Sequence, residues 1–250
     1  MSARTAGIPR YRPFEGPALL RQGFRPFFLG AGIWSLATML LWILVLHGYV
    51  SIPTAFDPVG WHAHEMLFGF VVAAIAGFLL TAIPNWTGRM PLQGVPLAAL
   101  VAAWLAGCAA VLGSAWIGGG TTAALDLSFL ALLLAVVLRE ILAGRNWRNL
   151  PIPVVLGGLL VANALTHADA VGLAATGQLG QRLSIAIVIL LISLVGGRII
   201  PSFTLNWLKK RGESNLPASF SALDRELSGL RLPPWRSGWS PPRVPSAGQR

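Results

Sequence analysis

Charged side chains are scarce in this chain, 11% of its 250 residues, against about 25% in an ordinary soluble domain. With 54% hydrophobic residues and a mean hydropathy of +0.65, too little polar side chain is present to cover a water-exposed globule. A soluble fold is excluded, and the composition is that of a membrane protein. Cysteine is almost absent. Cys108 stands alone in an apolar run, which excludes a disulfide framework and any cysteine-rich zinc or iron–sulfur site. Acidic residues are few, nine against nineteen Lys and Arg, for a net charge of +10. The basic residues sit at the ends of apolar runs and in the terminal segments rather than in a solvated basic domain, so nucleic acid is not the expected partner. Neither a phosphate-cradling glycine loop nor a Ser/His/Asp order is present. The opening stretch also lacks the apolar core and small-residue cleavage site of a signal peptide, so the first long apolar run is read as an uncleaved span.

What the chain has in abundance is long apolar runs. A helix crosses the hydrocarbon with about 20 mostly apolar residues, and six stretches qualify: 27–50, 62–84, 95–113, 121–143, 150–166 and 183–204. The fifth is the weakest, opened by Pro151 and Pro153 and loosened by Gly157 and Gly158. The predicted fold is an all-α, polytopic membrane helical bundle of six transmembrane helices, arranged as a short N-terminal segment (1–22), a six-span domain (23–211) and a polar, disordered tail (212–250). Arg4, Arg10, Arg12, Arg21, Arg25, Arg89, Arg139, Arg145, Arg148, Lys209, Lys210 and Arg211 fall on one side of this layout and Arg182 alone on the other. By the positive-inside rule both termini are then cytoplasmic. The dipeptides Asn85–Trp86, Asn146–Trp147 and Asn206–Trp207 recur about 60 residues apart at the same membrane face. An aromatic belt at headgroup level accounts for them more simply than a duplicated two-helix unit.

On this frame all four histidines lie toward the face opposite the arginines: His47 at the end of the first span, His62 and His64 opening the second, His167 closing the fifth. Asp57, Glu65, Asp126 and Asp169 lie in the same half. Ionisable groups there are costly unless paired, and commonly line a cavity or site. Asp57 followed by Pro58 predicts a helix N-cap and first-turn proline. On a regular helix His62 and Glu65 share a face that continues through Gly69, Ala73 and Gly77, the small-residue pattern of close helix packing. His64 then lies about 200° round from His62, so the two do not ligate one metal from a single face unless the first turn is distorted; they serve two sites, or one ligates while the other makes a hydrogen bond. Neutral imidazole suits both haem iron and copper, and a carboxylate such as Glu65 can orient a ligating ring from behind. Against this, outer-end histidines also snorkel into the headgroup layer, and a His-x-His at a span end does not by itself name haem. Arg198, near the end of the sixth span, reads as a snorkelling side chain or as a partner for an anionic group such as a haem propionate. Met39 and Met66 read as packing.

Five segments carry a family likeness: Gly23–Phe28, the run from Trp61 to Phe70 (Trp-His-Ala-His-Glu-Met-Leu-Phe-Gly-Phe), Gly77–Arg89, Asn146–Pro151, and the run from Gly196 to Trp207 that contains Gly-Gly-Arg-Ile-Ile-Pro. Together they resemble the NnrS family of bacterial membrane proteins over about residues 20 to 211. That resemblance implies a haem- and copper-containing protein of the inner membrane, linked to nitric oxide metabolism or the nitrosative-stress response and often found alongside denitrification. On that basis His62, His64 and Arg198 are the expected cofactor-binding residues, with His62, His64, His47 and His167 as candidate metal ligands and Glu65 behind them; no reaction is carried over. The family pattern is about twice as long with roughly twelve spans, so this chain is similar to its N-terminal half, and the tail from Gly212 has the character of an out-of-frame reading. A truncated chain of this kind leaves an open apolar flank and is expected to self-associate or be degraded. The competing expectation is a transporter or proton pathway without a metal, in which Glu65, Asp126 and the histidines form a relay, suggested by the interrupted fifth span and the Gly/Pro-containing sixth.

Overall fold

The computed structural model describes residues 14–213 and residue 216. A short 3₁₀ turn, Ala18–Arg21, leads into α1 (Phe24–Leu46). Helix α2 (Pro58–His64) runs through a π-helical segment, Glu65–Val71, into α3 (Val72–Thr87). Then follow α4 (Val95–Leu112), the single turn α5 (Ser114–Ile117), α6 (Gly119–Ala143), α7 (Pro151–Ala170) and α8 (Gly177–Lys210). Six helical segments are long and apolar enough to cross a membrane: Phe24–Leu46, Pro58–Thr87, Val95–Leu112, Gly119–Ala143, Trp147–Ala170 and Gly177–Lys210. No strand occurs among the described residues. The expected tail falls on residues outside those described, apart from Gly212, Glu213 and Leu216.

The expected six-span helical membrane protein is what folds; the second, fourth, fifth and sixth helices are longer than hydropathy marks out, while the first ends at Leu46 instead of residue 50 and the third at Leu112. The second span begins at Pro58 because the Asp57 carboxylate caps it, accepting from the backbone N–H of Val59 at 3.1 Å and of Gly60 at 2.9 Å. Asp57→Ala should lower stability by about 1 kcal/mol, the usual value of such a cap, read as a lower thermal unfolding midpoint in detergent. The fifth span is uninterrupted. Pro151 and Pro153 both fall in the first turn of α7, where a missing N–H breaks no helical bond. The sixth extends beyond 183–204 in both directions as α8 and continues through Pro201. The interruption of the fifth span that favoured a transporter is therefore absent.

The chain divides at Leu191 into two units. In the first, α6 packs along α4 and α7, while α1 packs against α3 and the π-helical segment. The apolar windows of Pro58–Thr87 and Trp147–Ala170 are each 50% buried, against 11% for Phe24–Leu46, so the second and fifth spans are the enclosed ones. Close approach depends on two glycines. A Cβ on Gly77 would lie 2.8 Å from the Phe28 ring of α1, and one on Gly107 would lie 2.9 Å from the Asp126 Cα of α6. Two of the three Asn-Trp pairs meet, since the Asn146 side chain donates to the Trp86 carbonyl at 2.5 Å. Trp147 and Trp207 are exposed, as belt residues are. The second unit consists, among the described residues, of the remainder of α8 and the residues just beyond it.

Candidate metal centre in the helix bundle

The wide turn of the π-helical segment sets the site. It starts at Glu65, directly after His64, and buries both side chains to 1% exposure. Such turns insert one residue into the helical register and frequently occur at functional positions. His62 near the end of α2 and Glu65 at the start of the π-helical segment both face α1, as their three-residue spacing predicts: the His62 ring stacks on Trp42 at 4.0 Å, and Trp34 Nε1 donates to Glu65 Oε2 at 2.6 Å. The carbonyl of Gly69, inside the π segment, accepts from Trp104 Nε1 of α4 at 2.9 Å.

His64 turns the other way, toward α6 and α7. Its Nε2 lies 3.0 Å from Asn163 Oδ1 and 3.3 Å from Asp126 Oδ2. His167 Nε2 reaches the same carboxylate oxygen at 3.0 Å, and Asn163 Nδ2 donates to it at 2.7 Å. Thr166 Oγ1 donates to the Asn163 carbonyl at 2.7 Å and so ties that turn of α7 together. Behind His64, Nδ1 stands 3.4 Å from Glu65 Oε1. Phe56 and Phe68 lie against the His64 ring at 5.1 Å each, and Phe56 also meets His167 edge-on at 5.6 Å.

His64, Asp126 and His167 thus offer three ligand atoms within 4.8 Å of one another, from three different spans. For a first-row metal held at about 2.0 to 2.1 Å by imidazole nitrogen, tetrahedral neighbours lie about 3.3 Å apart. The contacts of 3.0 and 3.3 Å to Asp126 Oδ2 are of that size. Both ring nitrogens of His64 face oxygen acceptors. A cation on the Nε2 side would relieve that surplus and leave Nδ1 facing Glu65 Oε1, two buried atoms that have no hydrogen-bond partner among the described residues, as the carboxylate–histidine–metal arrangement of many metal sites requires. Two imidazoles and one carboxylate suit several first-row metals, copper among them. His64 and His167 are enclosed by Phe56, Phe68, Asn163 and Asp126, at 1% and 3% exposure. Cavities of about 460 and 410 Å³ elsewhere in the first unit have no histidine in their walls.

The four candidate histidines therefore separate. His64 and His167 come together, whereas His62 packs on Trp42, part-exposed and with its buried Nδ1 lacking a hydrogen-bond partner. His47 is exposed after the last turn of α1, its Nδ1 2.8 Å from the Ile43 carbonyl and its ring 6.2 Å from Tyr49. Arg198 belongs to the part of α8 in the second unit, and its side chain lies outside the described residues. Two members of the centre were not among the expected site residues. Asp126 shares the outer half of the bundle with the histidines, and a carboxylate within a span is by itself a signal of a site. Asn163 carried one weaker clue, its four-residue spacing from His167, which puts both on one face of α7.

A family model described as "NnrS protein" matches residues 18–230. No curated protein and no solved structure matches the chain.

Proposed function

This chain belongs to the NnrS family, and we propose that its His64–Asp126–His167 centre binds a single copper ion within the membrane, in the service of nitric oxide metabolism or nitrosative-stress tolerance. The observation that carries this is the convergence of three ligand atoms from three spans, with Glu65 behind His64. A bound copper ion would supply a redox-active centre able to take a diatomic ligand. The protein's own contribution is positional. Asn163 holds the Asp126 carboxylate and the His64 ring in register, Glu65 orients His64 from the other side, and Phe56 and Phe68 keep water from the rings. For haem, the other cofactor of the resemblance, the support lies with His62, whose ring is part-exposed and makes no hydrogen bond among the described residues. The distribution of arginines supports an inner-membrane protein with cytoplasmic termini.

Metal analysis of the detergent-solubilised chain from copper-supplied cells tests the centre. The wild type, His47→Ala and His62→Ala should each carry about one copper per chain. His64→Ala and His167→Ala should carry at least about tenfold less, and nitric oxide should perturb the wild-type electron paramagnetic resonance signal. Equal copper in all four variants, or none in the wild type, would overturn the assignment. A second reading, a proton pathway, draws on the same polar chain from Trp34 through Glu65, His64 and Asn163 to Asp126 and His167. Proton flux into liposomes by metal-free protein, abolished by His64→Ala, would favour that reading over a metal centre.

A further inference from the structure

At the other end of the bundle, where α3 ends and α6 finishes, a cavity of about 460 Å³ is lined by Leu80, Ile83 and Val136 inside and by Arg89, Arg139 and Glu140 among its polar residues. Glu140 gathers both guanidinium groups. Arg89 Nε pairs with Oε2, and Arg139 holds Oε1 through Nε at 2.9 Å and Nη2 at 2.6 Å. Two cations against one carboxylate leave the cavity one positive charge. The carboxylate is the sunken member, its side chain 12% exposed against 41% and 65% for Arg89 and Arg139, so an incoming ligand meets the cations first. Arg89 uses only Nε on Glu140, and its two Nη nitrogens make no hydrogen bond among the described residues. Guanidinium groups suit phosphate oxygens, and basic pockets between spans on the cytoplasmic side bind anionic headgroups.

From this juxtaposition of an apolar wall, Leu80, Ile83 and Val136, with a pair of part-exposed guanidinium groups in one cavity, we propose that the cavity is a binding site for an anionic phospholipid of the arginine-rich leaflet. Its phosphate contacts Arg89 and Arg139, and the start of one acyl chain lies against Leu80, Ile83 and Val136. The site is independent of the metal centre, since none of its residues belongs to that cluster.

Native mass spectrometry of the full chain in detergent, exposed to equal amounts of phosphatidylglycerol and phosphatidylcholine, tests the proposal. The wild type should retain phosphatidylglycerol at least fivefold over phosphatidylcholine. The double variant Arg89→Gln/Arg139→Gln should lose that preference, while Arg148→Gln, which removes one positive charge that does not line the cavity, should keep it. Because the double variant leaves Glu140 unpaired and can misfold, Val136→Phe provides a second test: it keeps every charge, fills the chamber, and should lower retention at least fivefold. Millimolar inorganic phosphate should not displace the lipid. Equal retention of both lipids, an equal loss in Arg148→Gln, unchanged retention in Val136→Phe, or displacement by phosphate alone would each overturn the proposal, the last by reducing the site to one for a free anion.

Discussion

Asp126→Asn should leave the protein almost free of copper, with affinity reduced more than about 100-fold, because this one side chain ties the whole centre together. Its Oδ2 is the common partner of His64 Nε2, His167 Nε2 and Asn163 Nδ2. Replacing a ligand is expected to cost more than replacing the groups that orient ligands, whose loss typically costs 10- to 100-fold. The amide is nearly the same size, so the loss would come from charge and donor pattern, not from a hole. With its oxygen in the Oδ2 position the amide keeps the acceptor but not the negative charge that holds a cation, and with its nitrogen there it sets a donor against the Asn163 Nδ2 donor. A buried polar group left without a partner costs about 1–3 kcal/mol, and thermal unfolding in detergent should fall accordingly. Copper content and unfolding are measured on the same preparation. Asp126→Asn that retains copper while His64→Ala loses it would reduce Asp126 to a hydrogen-bonding support.

Gly107→Val is expected to have the largest effect on folding, and to abolish the proposed copper binding with it. A Cβ at Gly107 would sit 2.9 Å from the Cα of Asp126. That neighbour is backbone, so it cannot rotate away, and α6 itself must move. Overpacking of this kind costs about 1–3 kcal/mol for modest additions. Gly107→Ala should therefore still fold with a lowered midpoint and reduced copper, while Gly107→Val should fail to elute as a single species from size exclusion. Gly157, on α7, has nothing within 4 Å of its would-be Cβ. Gly157→Ala should be neutral or stabilising, because alanine is the better helix former by about 1 kcal/mol. If Gly107→Val and Gly157→Ala behave alike, α4 and α6 do not approach as closely as described, and the position of Asp126 falls with that contact.

The split among the histidines shows where sequence reasoning reaches its limit. His62 and Glu65 are three residues apart, and that spacing alone correctly sends both toward one neighbour, which proves to be α1. Helical geometry likewise sends His64 to another side. Which helix waits there depends on how α6 and α7 are packed, and nothing local to residues 61–70 encodes that. His47 and His167 looked equivalent, each near the end of an apolar run. Only His167 is buried, at 3% exposure, because it shares a face of α7 with Asn163 and that face meets Asp126. Asn163 carried no metal signature, since a lone amide acquires one only beside a carboxylate.

The sequence by itself determined that this is a membrane protein of six long helices, where the second begins, and to which family it belongs. Transfer into hydrocarbon adds up residue by residue along the chain, and an N-cap involves only its own turn, so both can be read without knowing any neighbour. Tertiary structure alone decided that His64, Asp126 and His167 meet and that His62 and His47 do not join them. Residues 64, 126 and 167 are brought together by the close α4–α6 contact at Gly107, the packing of α6 on α7, and a π-helical turn after His64. Each of these is a property of helices against one another, and none is a property of a single segment.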